Sequence, residues 1–261
     1  MAKVKVRSVA KIWSDVIFAI FLRDIKSKFS DKLGLSWSVL SPLLFIMVLT
    51  LARGSLDGGV THNMPTYFFM AYGILLVRFF VESTGSISNA ISSNKALFSF
   101  RQVQPISAFL ASLLFEVISK MMVLIFIIVI GYYLKFDISL NNIIGMMLSF
   151  LSIGLLSFSL GVTFSISRCF VPEVAKIRTF ILRPLIFVSG AFFSLKDISP
   201  EYWKYFTWNP IIHAVEYIRS YSISNYSPEG VSLTYLAMST FISLFLSLCL
   251  YQATWKKAIS L

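Results

Sequence analysis

Residues 109–134 read FLASLLFEVISKMMVLIFIIVIGYYL, and positions 121–130 are apolar without interruption. The hydrocarbon core of a bilayer is about 30 Å thick, so a helix needs roughly 20 mainly apolar residues to cross it. This stretch is long enough and apolar enough to be such a helix. It predicts that the chain is a membrane protein whose main solvent is lipid.

Runs of this kind recur along the chain, which has 261 residues, of which 57% are hydrophobic and 13% charged. They predict six spans, near residues 34–52, 66–84, 109–134, 143–166, 179–195 and 233–252. An even number of spans places both termini on the same side of the membrane. The sequence therefore predicts an all-α membrane protein with six transmembrane helices.

The Lys and Arg residues assign that side, because cytoplasmic segments near span ends carry an excess of them. With the N-terminus inside, the predicted cytoplasmic segments, including Arg183 at the start of span 5, hold sixteen of the 23 basic residues, and the opposite side holds five. Both termini are therefore predicted to be cytoplasmic. The net charge of +11 then reflects membrane sidedness, and no nucleic-acid partner is expected.

The residues before the first span form a predicted amphipathic helix. Between residues 4 and 28, Ile12 and Val16 share an apolar face opposite Lys11 and Asp15. Two interpretations stay open: a helix that lies in the inner membrane interface, or one that packs on another subunit. The predicted organisation is an interfacial helix at 1–33, a transmembrane domain at 34–255 and a cytoplasmic tail at 256–261.

Two short helices are predicted between spans 5 and 6. Ser199 and Asn209 are each a capping residue followed by proline, which is a typical helix start. Helices at 200–207 and 210–221 would be about 12 and 18 Å long, at about 1.5 Å per residue. Neither can cross a bilayer, so both are predicted to be re-entrant or interfacial.

Four ionisable residues interrupt the apolar runs. They are Arg78 and Glu82 in span 2, and Glu116 and Lys120 in span 3. Each pair is spaced i, i+4 on adjacent, oppositely running helices, so the charges can neutralise one another within and between helices. One interpretation is structural pairing, and the other is direct contact with a substrate or a gate.

The sequence lacks the motifs of several enzyme classes. It contains no G-x-x-x-x-G-K-[ST], no H-E-x-x-H and no G-x-S-x-G, so neither a P-loop ATPase nor a zinc protease nor a lipase is indicated. Cys169 and Cys249 have no partner at metal-ligand spacing and are predicted to be free thiols. The chain is predicted to be no enzyme and to hold no metal or cofactor of its own.

Several motifs occur together in a fixed order. They are Arg23-Asp24-Ile25-Lys26, Leu33-Gly34, Trp37, Leu40 and Pro42, the segment 92–106 (SSNKALFSFRQVQPI), Phe170, Pro172-Glu173, Lys176 and Pro184, Tyr202-Trp203, and Trp208-Asn209-Pro210. In this order they resemble permeases of the ABC-2 type. The segment 229–238 (EGVSLTYLAM) resembles the start of the last span in the capsule-export branch of that family. The likeness runs from about residue 15 to 255.

The resemblance implies an inner-membrane permease that exports capsular polysaccharide. The working unit would be a homodimer with two copies of a cytoplasmic ABC ATPase, which would bind ATP and Mg²⁺. The substrate would be a lipid-linked acidic polysaccharide, and periplasmic and outer-membrane export proteins would complete the route. Two alternatives stay open: a permease for another cargo, such as O-antigen, teichoic acid or a drug, and a scaffold that transports nothing.

The cytoplasmic stretch 94–104 is the predicted contact with that ATPase. Large apolar side chains flanked by two cations can seat in a cleft of a soluble partner. The predicted coupling residues are Asn94, Lys95, Leu97, Phe98, Phe100 and Arg101. The alternative, a merely solvated loop, does not explain the three large apolar side chains.

An aromatic cluster occupies the first short helix and the turn after it. Its members are Tyr202, Trp203, Tyr205, Phe206 and Trp208. One interpretation is an aromatic belt at the membrane interface. The other is a platform on which sugar rings stack as they leave, and in that case the five rings belong to the polysaccharide path.

Overall fold

The computed structural model describes residues 8–29, 34–100, 102–136 and 141–260. The α-helices in this part of the chain are α1 (Val9–Phe29), α2 (Gly34–Asp57), α3 (Thr66–Ser93), α4 (Pro105–Tyr133), α5 (Ile143–Phe170), α6 (Val174–Val188), α7 (Pro210–Ser222) and α8 (Leu233–Ser260). Short 3-10 helices span Lys95–Ser99, Leu195–Asp197 and Pro200–Tyr205, and β1 (Val60–Thr61) pairs antiparallel with β2 (Met64–Pro65). The prediction of an all-α membrane protein is confirmed, apart from this minimal hairpin.

Helix α3 is the centre of the bundle, and most of its length is buried by the surrounding helices. It packs most extensively on α5, where Phe79 stacks on Phe150 with ring centroids 4.4 Å apart. Gly161 of α5 permits this approach, because a Cβ there would lie 2.7 Å from the Cβ of Ile87. Helices α2 and α8 expose most of their surface, as expected of helices at the lipid boundary.

Five of these helices are long and apolar enough to cross a membrane: α2 from Val39 onward, α3, α4, α5 and α8. They coincide with predicted spans 1 to 4 and 6. The fifth predicted span, 179–195, is different. Helix α6 begins earlier and ends earlier than predicted, at Val174 and Val188, and with 15 residues it is shorter than the five long helices. The helix stops because Gly190 adopts a left-handed conformation, with φ of 74°.

Although α6 is short, the chain from the start of α6 to residue 197 runs along the whole length of α3. Arg178, near the start of α6, donates a hydrogen bond to the hydroxyl of Ser88 near the end of α3. Beyond α6, Asp197 lies 2.8 Å from Nε2 of His62, just before the start of α3. Helix α6 and residues 189–197 together therefore connect the two ends of the bundle.

The two short helices between α6 and α8 are present close to their predicted positions. The first is the 3-10 helix Pro200–Tyr205 and the second is α7. Asn209 caps α7 as its sequence position predicts, because its side-chain oxygen accepts a hydrogen bond from the backbone N–H of Ile211 at 3.0 Å. Helix α7 packs on α3, α5 and α8.

Both terminal segments are helical where they are described. Helix α1 packs along α4, where Ile20 is buried in the same cluster as Phe109, while Phe18 is 59% exposed. Residues 1–7 and 30–33 of the predicted interfacial segment lie outside the described residues. Helix α8 continues to Ser260, so residues 256–260 of the predicted tail extend the last helix.

Candidate functional site

The candidate functional residues divide between the two ends of the bundle. We call the side that holds α7 and the start of α3 the α7 end. The side that holds Asn94 and the end of α3 is the Asn94 end. The four intramembrane charges lie between them.

The structure joins these four charges across α3 and α4. Glu82 accepts a hydrogen bond from Nε of Arg78 at 2.9 Å and another from Lys120. Nζ of Lys120 also lies 3.7 Å from a carboxylate oxygen of Glu116. Two cations and two anions therefore balance, and the ammonium of Lys120 is almost fully buried. This geometry favours structural pairing, since removal of one partner would leave a charge uncompensated inside the membrane.

A second buried charge, Arg219 of α7, organises the α7 end. Its guanidinium donates from Nε to the carbonyl of Phe69 at 3.2 Å, from Nη1 to that of Phe193 at 3.1 Å, and from Nη2 to that of Gly190 at 2.8 Å. The guanidinium carbon lies 3.7 Å from the ring centroid of Phe69. One side chain thus connects α3, α7 and the chain that follows α6.

The charge of Arg219 is balanced by Glu216, one turn earlier on α7. The two groups are 3.4 Å apart and both are 0% exposed. The other oxygen of Glu216 accepts a hydrogen bond from the hydroxyl of Tyr226 at 2.5 Å, and that hydroxyl lies 2.9 Å from Ser194. Burial and the neighbouring carboxylate raise the pKa of Tyr226, so its hydroxyl stays protonated and available as a donor.

A glycine of α3 makes room for this cluster. A Cβ at Gly73 would lie 2.5 Å from Nη2 of Arg219 and 2.6 Å from the carbonyl oxygen of Ala191. The sequence did not indicate the cluster, because four of its contacts join residues far apart in the chain. The one local signal is the i, i+3 spacing of Glu216 and Arg219 on α7.

His213 connects α7 to the start of α8. Its Nε2 lies 2.8 Å from the carbonyl oxygen of Thr207, and its Nδ1 accepts a hydrogen bond from the backbone N–H of Ser232 at 2.9 Å. Burial is the main influence on the pKa of His213 and lowers it from its usual value. The ring is therefore neutral at pH 7, with the proton on Nε2, and its role is structural.

The structure separates the five predicted path aromatics into two groups. Tyr202, Tyr205 and Trp208 are 55%, 60% and 61% exposed. Trp203 instead points inward, where its Nε1 donates to two backbone carbonyls at 2.9 Å, and Phe206 packs edge-on against another phenylalanine, with ring centroids 5.5 Å apart. Only the three exposed rings are free to contact a passing molecule.

The predicted coupling segment is also divided. Asn94 is buried, and both ends of its amide have partners. Its Oδ1 accepts a hydrogen bond from Arg23 of α1 at 2.5 Å, and its Nδ2 donates to the carbonyl of Ala90 at 2.8 Å. Leu97 and Phe98, in the 3-10 helix that follows, are half-buried against the protein's own helices.

The remaining coupling residues face outward where they are described. Lys95 is exposed, and Phe100 is 63% exposed. Arg101 lies outside the described residues. In the part of the chain that is described, no group of three or more His, Cys, Asp or Glu side chains could hold a metal ion.

Comparison with known proteins identifies relatives along almost the whole chain. Residues 15–222 match the family described as ABC-2 type transporter. The chain is 34% identical over 253 residues to the polysialic acid transport protein KpsM of Escherichia coli, which covers 94% of this chain and 96% of that protein. It is 26% identical over 215 residues to the capsule polysaccharide export inner-membrane protein CtrC of Neisseria meningitidis serogroup B, covering 78% of each. It is 22% identical over 243 residues to the protein BexB of Haemophilus influenzae, of the same description, covering 91% of this chain and 90% of that protein.

Proposed function

Since the chain belongs to the ABC-2 type transporter family, we propose that it is the permease of an exporter that moves capsular polysaccharide across the bacterial inner membrane. The observation that carries the proposal is the similarity to KpsM, which extends over 94% of this chain and 96% of that protein. The named cargo of that relative, polysialic acid, is an acidic polysaccharide. The cargo proposed for this chain is likewise an acidic, lipid-linked polysaccharide.

The proposed topology has six spans with both termini in the cytoplasm. Five long apolar helices support it, together with the path of α6 and residues 189–197 along the whole of α3. The excess of Lys and Arg on one side supports the orientation. In this topology the Asn94 end is cytoplasmic, and the α7 end faces the periplasm.

A separate ATPase supplies the force in this proposal, because the chain contains no P-loop motif. Two copies of a cytoplasmic ABC ATPase, carrying ATP and Mg²⁺, would act on two copies of this chain. The exposed side chains Lys95 and Phe100 form the proposed contact. Leu97 and Phe98 would hold the 3-10 helix that carries this contact against the protein, since they already pack on its own helices.

The polysaccharide requires a continuous path, because a polymer whose length exceeds the thickness of the membrane cannot be enclosed in one cavity. We place that path between two copies of the protein. On the periplasmic side, Tyr202, Tyr205 and Trp208 present the exposed rings on which sugars would stack as they leave. Periplasmic and outer-membrane export proteins would receive the polymer there.

A reconstituted system tests the proposed function. The chain and its ATPase would be placed in vesicles with the lipid-linked polymer, and movement of polymer across the bilayer would be measured with and without ATP. We expect transport that requires ATP and both proteins. A complex that hydrolyses ATP but moves no polymer would indicate a scaffold. Transport of a drug or of O-antigen in preference to acidic polymer would assign another cargo.

A further inference from the structure

A cavity of about 180 Å³ lies where α3, α5 and α8 end, at the Asn94 end of the bundle. We call it the α3–α5–α8 cavity. The lining residues whose side chains carry nitrogen or oxygen are Ser88, Ser92, Lys95, Ser165 and Arg168. Helix α8 contributes an apolar side, formed by Ala258 and Ile259. The described lining therefore combines two cations and three hydroxyl groups with an apolar wall, and it includes no carboxylate.

The two cations of the cavity are not balanced by the protein's own anions. Within the described part of the chain, neither Lys95 nor Arg168 forms an ion pair. Arg168 donates from Nη1 to the Oδ1 atom of Asn89 at 2.6 Å, and Arg178 donates to the same oxygen at 3.3 Å. Two guanidinium groups thus share one neutral amide, which leaves their charge uncompensated.

A buried hydroxyl group lines the same cavity without a partner. Ser165 is 1% exposed, and its Oγ atom forms no hydrogen bond within the described residues. Other serines of α5, such as Ser157 and Ser159, donate to carbonyl groups of their own helix. A buried polar group without a partner is destabilising, so an acceptor from outside the chain would stabilise Ser165.

The ends of the helices account for only part of the positive charge. A helix C-terminus attracts cations, because its free carbonyl groups carry about half a negative charge. Helix α3 ends at Ser93 and α5 at Phe170, close to Lys95 and Arg168 respectively, and α8 has its own cation in Lys257. The ends of α3 and α5 together balance about one charge, whereas the two side chains carry two. A net positive charge therefore remains beside the unpartnered hydroxyl.

The cavity lies at the depth of lipid head groups. Helices α3, α5 and α8 have 28 residues each, so each is about 42 Å long at about 1.5 Å per residue. A bilayer with its head groups is about 40–45 Å thick, and the helix ends therefore reach the head-group region. Near the end of α8, the ammonium of Lys256 lies 5.8 Å from the ring centroid of Trp255, and both residue types are common at this level. Lipid phosphate groups are consequently within reach of the cavity.

We propose that the α3–α5–α8 cavity binds the phosphate group of an anionic phospholipid from the surrounding leaflet. Arg168 and Lys95 pair with the phosphate oxygens, and the hydroxyl of Ser165 donates to one of them. A phosphodiester fits this lining because it offers several acceptor oxygens and no donor, whereas arginine and lysine only donate. Basic cavities between membrane helices on the cytoplasmic side bind such head groups, and the Asn94 end is cytoplasmic in the proposed topology. The inference does not depend on which cargo the chain exports.

Thiol protection tests the position of the lipid without changing the cations or the serine. Cys169 lines the cavity, whereas Cys249 is exposed on α8. The full-length Cys249→Ser variant would react with N-ethylmaleimide in micelles that contain phosphatidylglycerol or, for comparison, phosphatidylethanolamine. Phosphatidylglycerol at about ten times its dissociation constant should slow the reaction of Cys169 roughly tenfold, since only the unoccupied site reacts.

The second natural cysteine provides the matched control. In the Cys169→Ser variant, Cys249 should react at the same rate with either lipid. Equal rates of Cys169 modification with the two lipids would overturn the proposal. So would a slower reaction of both cysteines with phosphatidylglycerol, because that result would reflect the micelle and not the cavity.

Charge substitutions test the recognition of the phosphate. In native mass spectrometry of the full-length chain, Arg168→Gln should weaken phosphatidylglycerol binding about tenfold, and Arg168→Lys should keep most of it. Lys257→Gln is the control, because it removes an equal charge from an exposed position at the end of α8 that does not line the cavity. Equal losses for Arg168→Gln and Lys257→Gln would show a general attraction of basic surface to anionic lipid and would overturn the proposal.

Competition with sodium phosphate separates lipid from free phosphate. Inorganic phosphate, at the same concentration as phosphatidylglycerol, should not displace the lipid, because it lacks the acyl chains that contact the apolar side of the cavity. Retention of the lipid would support the assignment. Displacement by inorganic phosphate would assign the cavity to a free phosphate compound and overturn the lipid as its ligand.

Discussion

The two ends of the bundle are built in different ways. At the α7 end, Arg219 is fully buried, donates to three backbone carbonyl groups, and is neutralised by Glu216. At the Asn94 end, Asn94 ties α1 to the end of α3 and Arg178 ties α6 to it through Ser88, while Phe100 beyond them is 63% exposed. One end is completed by contacts within the protomer. The other leaves apolar surface that a partner can cover.

This difference fits the separate tasks proposed above for the two ends. With 13 residues α7 is too short to cross a bilayer, and Arg219 anchors it to α3 and to the chain that follows α6. A surface that receives force from an ATPase must bind that partner, so its apolar side chains cannot all be buried in the fold. Substitutions should therefore change stability at the α7 end and partner binding at the Asn94 end.

The largest effect is expected from Arg219→Met. This change leaves Glu216 as a buried, uncompensated charge and removes the donors to three carbonyl groups. Breaking a buried ion pair typically costs about 3–5 kcal/mol, which should lower the midpoint of thermal unfolding in detergent and the folded yield. Lys204→Met, at an exposed lysine of the same end, is the control. Equal midpoints for the two variants would contradict a structural role for Arg219.

A smaller loss of stability is expected from Gly73→Ala. The new methyl group would overlap Nη2 of Arg219 and the carbonyl of Ala191, so the cluster must shift at a cost of about 1–3 kcal/mol. Gly85→Ala on the same helix is a matched control, because a Cβ there meets nothing within 4 Å. It should be neutral or stabilising, since alanine favours helix over glycine. Thermal unfolding of both variants would measure the difference.

Phe100→Ala should act on the partner and leave the fold intact. Loss of an aromatic anchor commonly costs about 2 kcal/mol of binding, which would weaken ATPase affinity roughly thirtyfold. The unfolding midpoint should change little, because the side chain is 63% exposed. Tyr133→Ala, at an 85% exposed ring near the opposite end of α4, should leave affinity unchanged. The affinity of the purified ATPase for each variant would be measured. Undiminished binding to the Phe100→Ala variant would show that Phe100 is not an anchor of the contact.

The smallest effect is expected from Lys95→Ala. An exposed charge at the rim of an interface contributes less than about 1 kcal/mol, and salt screens it. ATPase affinity measured at low and at physiological salt should show a slight loss that is smaller at the higher salt. A loss as large as that of the Phe100 variant would place Lys95 at the centre of the contact.

Much of the fold could be predicted from local sequence. Length and hydropathy located the five long helices, and Asn209 followed by proline located the start of α7. The end of α6 was predicted seven residues too late, at 195, because hydropathy continues past the left-handed turn at Gly190. The conformation of one glycine, which hydropathy does not register, ended the helix.

The candidate site was less predictable, because it depends on which side of each element is packed. Leu97, Phe98 and Phe100 look alike in sequence, and only the docking of the 3-10 helix on neighbouring helices separates the half-buried pair from the exposed ring. Arg219 looked like an ordinary basic residue outside the spans. Its partner carbonyl at Phe69 is 150 positions away in the chain, a separation that no local pattern encodes.

Amide hydrogen exchange of the chain in lipid nanodiscs, with and without its ATPase, tests the contrast between the two ends most directly. The account predicts fast exchange at residues 94–100 in the free chain and clear protection there when the ATPase binds. It predicts slow exchange of α7, at 210–222, in both states. The account would be contradicted if residues 94–100 exchanged equally in both states while protection appeared elsewhere, for example around Glu173 and Lys176.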